Sequence, residues 1–133
     1  MKHINIVSGQ SLIEIVVATG IIALVLVGVS DLITRSLALS NFQADRNKSV
    51  NVAQNQLTYY RQQRDIHPAD FFIDPNINYS ICVGEIDAKY TCSISYTEVA
   101  GKDGYEMSVV VSWIDGGKSV ETILQQTLAK PTK

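Results

Sequence analysis

Ile15 to Ser30 reads IVVATGIIALVLVGVS, with no charged residue, and extending it back to Leu12 adds a single carboxylate, Glu14. A helix crossing the hydrocarbon of a bilayer needs about 20 mainly apolar residues, with roughly 17 to 25 as the working range. The segment Leu12 to Val29 meets that requirement. Its flanks distinguish an anchor from a removable secretory signal, which carries a basic start, a short apolar run and a small-x-small cleavage site after it. The basic start is reduced to Lys2, the apolar run is long, and the helical pattern continues through Asp31 and Arg35 without such a site. With Lys2 on the short side and no other positive charge before Arg35, the positive-inside rule places the N-terminus in the cytoplasm and the bulk of the chain outside it.

Outward from this segment the pattern changes. Leu39, Phe42, Arg46, Val50, Ala53, Leu57 and Tyr60 recur at steps of three or four, the stripe of an amphipathic helix. Neither Gly nor Pro interrupts Val29 to His67, so one continuous helix is expected from about Ser11 to Gln63. At about 1.5 Å per residue it would be on the order of 80 Å long. Pro68 and the turn chemistry of Asp70 to Pro75 mark its stop.

After Pro75 the chain reads as strand and turn. Tyr105, Met107, Val109, Val111 and Trp113 alternate with Glu106, Ser108, Val110 and Ser112, the period of a strand with one apolar face. Asp115-Gly116-Gly117 supplies a tight reversal, and a further strand from about Lys118 to Leu128 places Val120, Leu124 and Leu128 on one side. Two more runs, Tyr79 to Glu85 and Tyr90 to Val99, are separated by Asp87-Ala88-Lys89. The expected class is α+β, a long N-terminal helix packed on an antiparallel sheet of about four strands. Cys82 and Cys92 face each other if the earlier pair of runs forms a hairpin, and a disulfide then suits their separation. Two separately buried thiols are the alternative, because the alternation of the two runs places the cysteines in different parity.

The 133 residues allow one compact domain beside the apolar segment. Of the 11 Lys+Arg and 13 Asp+Glu, Lys2 and Glu14 fall before Asp31, which leaves ten and twelve from Asp31 onward and no basic block. Electrostatic nucleic-acid binding has no support in that balance. No H-E-x-x-H, C-x-x-C, P-loop or G-x-S-x-G is present, so neither an enzyme nor a cofactor is expected. Asp74, Asn76, Asn78 and Glu85 follow calcium-loop spacing, but Tyr79 stands where that loop needs glycine, and no metal site is expected. Asn47-Lys48-Ser49 and Asn78-Tyr79-Ser80 fit a glycosylation sequon that arises often by chance.

Glu14 is the unusual residue, since an ionisable group in a spanning helix is costly and tends to mark function. Ser8-Gly9-Gln10-Ser11-Leu12-Ile13-Glu14, running directly into the apolar segment, resembles the processing site of type IV prepilins. Val109 to Gly117, VVVSWIDGG, is similar to a strand and turn found in PilV-like minor pilins and in pseudopilins. The resemblance implies cleavage after Gly9 by prepilin peptidase, N-methylation of Gln10 and a role for Glu14, fifth from the new terminus, in assembly and subunit register. It divides the chain into a leader at 1–9, a transmembrane or filament-core half-helix at 10–30 and an extracytoplasmic domain at 31–133. Two departures stand out: Gln10 occupies a position where the family mostly has Phe, and Lys2 is the only basic side chain of the leader. The implied function is a structural minor pilin of a filament, with other pilins and an inner-membrane assembly platform as partners. The alternatives are a pseudopilin of a type II secretion or DNA-uptake system, or an uncleaved single-pass anchor displaying a small binding domain.

Overall fold

The computed structural model describes residues 8–101 and 103–130, with side chains from residue 12 onward. Lys2 and the rest of the expected leader before Ser8 lie outside the described residues. Helix α1 (Ser8–Ile66) spans 59 residues, somewhat longer at both ends than its sequence pattern suggests. It stops at Ile66, because the ring of Pro68 disfavours helical geometry in the preceding residue, His67. Two single-turn helices follow, α2 (Pro68–Phe71) and α3 (Pro75–Asn78), each opening on a proline whose missing N–H costs nothing at that position. The Asp74 carboxylate caps α3 by accepting from Asn76 N–H at 3.1 Å. The chain divides into two compact units that meet between Asn41 and Phe42.

The first unit is the apolar part of α1. The second contains the rest of α1 and an antiparallel sheet in the order β1 (Tyr90–Glu98), β2 (Gly104–Asp115), β3 (Lys118–Ala129). The hairpin from β2 to β3 closes through Gly116 and Gly117, at φ +55 and +79, the left-handed pair that a two-residue reversal requires. Gly104 is needed for a different reason. A Cβ there would stand 2.6 Å from the Leu128 carbonyl oxygen, so only glycine permits this approach of β2 to β3.

The register brings Tyr90, Trp113 and Val120 side by side, and likewise Ile94, Val109 and Leu124. On this inner face Tyr90, Ile94, Tyr96, Met107, Val109, Val111, Trp113 and Leu128 are buried together with Ala53 and Tyr60 of α1 and with Phe71. Phe42 meets Trp113 at a ring separation of 6.2 Å, and Tyr60 meets Tyr96 edge-on at 6.4 Å. Burying each large apolar side chain of this set contributes roughly 1.5 to 3 kcal/mol.

Two expectations need correction. The sheet has three strands, because Tyr79 to Glu85 runs as an irregular segment in which side chains from elsewhere bond the backbone of Tyr79, Ile81 and Val83. The buried stripe of α1 also differs from the apolar pattern: Ser49, Ala53, Gln56 and Tyr60 are buried, whereas Arg46 is exposed and Leu39 is 57% exposed. Ser49 and Gln56 escape an apolar search because they are polar, and each is buried with a partner. The Ser49 hydroxyl lies 2.8 Å from that of Thr122.

Candidate membrane and assembly site

The first unit presents apolar side chains in every direction. Leu12, Ile22, Leu24, Val27 and Leu32 are each more than half exposed, and none of the strongly apolar part of the helix is buried. It is the one helix among the described residues long and apolar enough to cross a membrane. Three of its hydroxyls bond within the helix, as suits a water-free surrounding: Thr19 donates to Val16 O at 3.0 Å, Ser30 to Leu26 O at 2.8 Å and Thr34 to Ser30 O at 3.0 Å. Charge returns with Asp31 and Arg35, paired at 3.0 Å across one turn. Gly20 and Gly28 have nothing within 4 Å of where a Cβ would stand, leaving both open to a neighbouring helix.

Gly9 and Gln10 lie on the backbone of α1, and Gln10 and Glu14 share a face because they are four residues apart. The Glu14 side chain is exposed, and among the described residues no cation lies within ion-pair distance of it. A carboxylate on an apolar helix surface needs a positive partner or water, since an isolated buried charge is strongly disfavoured.

Within the second unit the segment between α3 and β1 is fastened along its length. Tyr96 OH donates to Tyr79 O at 3.0 Å, Tyr60 OH donates to Ile81 O, and the Gln56 amide bonds to both backbone groups of Val83. Cys82 and Cys92 are joined in a disulfide with Cα atoms 6.2 Å apart, within the usual range. The bridge links the irregular segment to β1, a different setting from the hairpin expected for it, so the parity that favoured separate thiols has no bearing.

A charged cluster ties the start of the packed helix to the turn before β1. Lys89 Nζ lies 2.5 Å from Asp45 and Lys48 Nζ 2.8 Å from Asp87, while Tyr90 OH donates to Asp45 at 2.9 Å. Lys48 also stands 5.4 Å from the centre of the Tyr90 ring. The hydrogen bond from Lys89, then that from Tyr90, holds the Asp45 carboxyl below its ordinary range, and Lys48 does the same for Asp87. Burial, followed by the bond to Asp45, pushes the Tyr90 phenol up to about 12.

Two of the residues at calcium-loop spacing are engaged elsewhere. Asp74 caps α3, while the Asn76 amide bonds to the backbone of Tyr96 at 2.9 and 3.1 Å. In the first sequon Ser49 is fully buried against Thr122, so that hydroxyl is closed to an enzyme. No protein-family model, curated protein or solved structure matches this chain.

Proposed function

We propose that this chain is a minor pilin, a structural subunit of a type IV pilus-like filament that performs no chemistry on a substrate. The observation that carries this is the placement of Gly9, Gln10 and Glu14 at the head of an apolar half-helix that has no partner among the described residues, on the same helix that bears a packed α+β body. Prepilin peptidase cuts after Gly9, and the α-amine released on Gln10 is methylated. The precursor sits in the inner membrane as a single pass with its N-terminus in the cytoplasm. Assembly withdraws the apolar half-helix from lipid into a filament core made with other pilins by the platform. In that core Glu14 pairs with the terminal amine of a neighbour, an arrangement in which two buried charges are tolerable together and costly apart. The same placement suits a pseudopilin of a secretion or DNA-uptake system, which differs in the filament joined and not in the chemistry of the helix.

The deciding experiment is the mass of the N-terminal peptide from cells with and without prepilin peptidase. A peptide beginning at Gln10 with an added methyl, only when the peptidase is present, is the expected result. A peptide still beginning at Met1 would make the chain an uncleaved anchor carrying a small binding domain.

A further inference from the structure

The two edges of the sheet are finished differently. In an antiparallel ladder alternate residues turn both backbone groups toward the neighbouring strand, and those between them turn theirs away. Val99 N–H donates to Gly104 O at 3.1 Å, so the even-numbered residues of β1 face outward. That edge is obstructed at Tyr90 and Tyr96. The Asn76 side chain takes both the N–H and the C=O of Tyr96, Tyr90 N–H donates to Asp87 O at 2.9 Å, and Cys92 is bonded to Cys82.

On β3 the Lys130 N–H donates to Asp103 O at 2.8 Å, which makes the odd-numbered residues the outward ones: Ser119, Glu121, Ile123, Gln125, Thr127 and Ala129. Among the described residues none of their backbone groups has a partner. The strand is 12 residues long, pairs with β2 without a bulge, contains no proline, and turns no charge inward between Ser119 and Ala129. These are the devices by which proteins protect an edge from pairing with another chain, and β3 lacks them where β1 is blocked.

We propose that the outer edge of β3 is a docking site for a β-strand of a different protein, which adds to the sheet as its fourth strand. Recognition comes from main-chain hydrogen bonds, with selectivity from side chains on alternate positions. Glu121 is the one charged side chain among the outward residues of β3, and the sheet's outer face adds only Glu106 to it and no Lys or Arg. The complementary strand therefore carries a Lys or Arg opposite Glu121 and uncharged, β-branched or hydroxyl residues beside Ile123.

A second copy of this chain does not fit. Head-to-tail pairing would place β3 on a β1 edge that Asn76 and Asp87 already occupy. Two-fold pairing of β3 with β3 needs an axis perpendicular to the sheet. Within the second unit α1 runs in the direction of β1, since Asp45 bonds to Tyr90 and Tyr60 packs on Tyr96, so that axis would make the two helices run oppositely. Such a pair would also leave each Glu121 without a cation, because the outward residues of β3 include no Lys or Arg, whereas a strand of another protein can supply one.

The test places a photo-crosslinking amino acid at Glu121, Ile123 or Gln125 of the full chain in its own cells, with Ser93 on the outer face of β1 as control, and maps the joined residues. Supporting adducts reach one extended segment of a single other protein, with attachment points advancing two residues for each two along β3. Ile123→Pro removes an outward N–H and leaves the β2 ladder intact, so it lowers the Gln125 adduct about tenfold or more. If that variant fails to accumulate, Glu121→Lys on the exposed face makes the comparison and must lower the Gln125 adduct. Adducts between two copies, scattered attachment points, no adduct, or yields indifferent to the substitution would each overturn the proposal. An uncut N-terminus leaves the outcome readable, because the adducts report on the sheet edge alone.

Discussion

The side-chain amide of Gln56 bonds to both backbone groups of Val83, with Nε2 donating to the carbonyl at 2.7 Å and Oε1 accepting from the N–H at 2.8 Å. A buried residue of the helix thus takes the place of a neighbouring strand for a segment that belongs to no sheet. Gln56 is only 3% exposed, so its amide has few alternatives to these bonds.

Gln56→Leu therefore keeps the volume and loses both bonds. A cost of about 1 to 3 kcal/mol is expected, together with faster amide exchange between Ile81 and Glu85. Exchange at wild-type rates in that segment would show that the amide clamp does not hold it.

The disulfide constrains a short loop, and its removal is expected to cost up to about 3 kcal/mol on the chain-entropy account. Cys82→Ser with Cys92→Ser should lower the denaturation midpoint, and reductant should bring the native chain to the same midpoint. A midpoint unmoved by reductant would mean that Tyr60, Gln56 and Asn76 suffice.

Acid and alkali should loosen the cluster around Asp45 from opposite sides. Asp45 and Asp87 are held below the ordinary value of 3.8, so their contribution is complete above that value and is lost as pH falls through their lowered ones. Tyr90 is raised from 10.0 to about 12, so its contribution is complete below 10 and is lost as pH climbs toward 12. Tyr60 and Tyr96 are raised by burial and add to the alkaline loss. Unfolding midpoints measured from pH 2 to 12 test both limbs: Asp45→Asn should flatten the acid side and Tyr90→Phe the alkaline side.

If the proposed filament role holds, Glu14→Ala should leave cleavage after Gly9 at the native level and cut filament yield about tenfold or more, since it removes one half of the ion pair proposed for the filament core. Sheared-filament recovery, scored beside the N-terminal mass, separates the two effects. Native yield would remove Glu14 from assembly.

How far the sequence reveals this molecule depends on where each backbone group finds its partner. The helix could be read because its pattern is local: apolar steps of three or four, no Gly or Pro, and a proline stop. The β2–β3 hairpin could be read for the same reason, through alternation and Gly116-Gly117. Tyr79 to Glu85 has the alternation of a strand, but its hydrogen bonds go to Tyr60, Gln56 and Tyr96. Partners so distant in sequence leave no periodic trace. Asn76 looked like a calcium-loop position because spacing alone does not show which way a side chain turns. For Gly9, Gln10 and Glu14 the pattern is local in the sequence, while the partners proposed for them belong to other chains.

The arrangement of the strands also governs when the body can form during synthesis. β2 is the central strand, and the core below it is completed by Leu128, near the end of β3 and fully buried. The apolar helix is made first, while the residues that shield Phe71, Met107 and Val109 are still on the ribosome. Closure therefore waits for the last hairpin, whose two-residue turn then pairs within about 1 to 10 μs. Until that moment β1 and the underside of α1 are exposed to whatever lies beside the exit channel, so a holding factor is of most use to this chain in the interval before its final strand emerges.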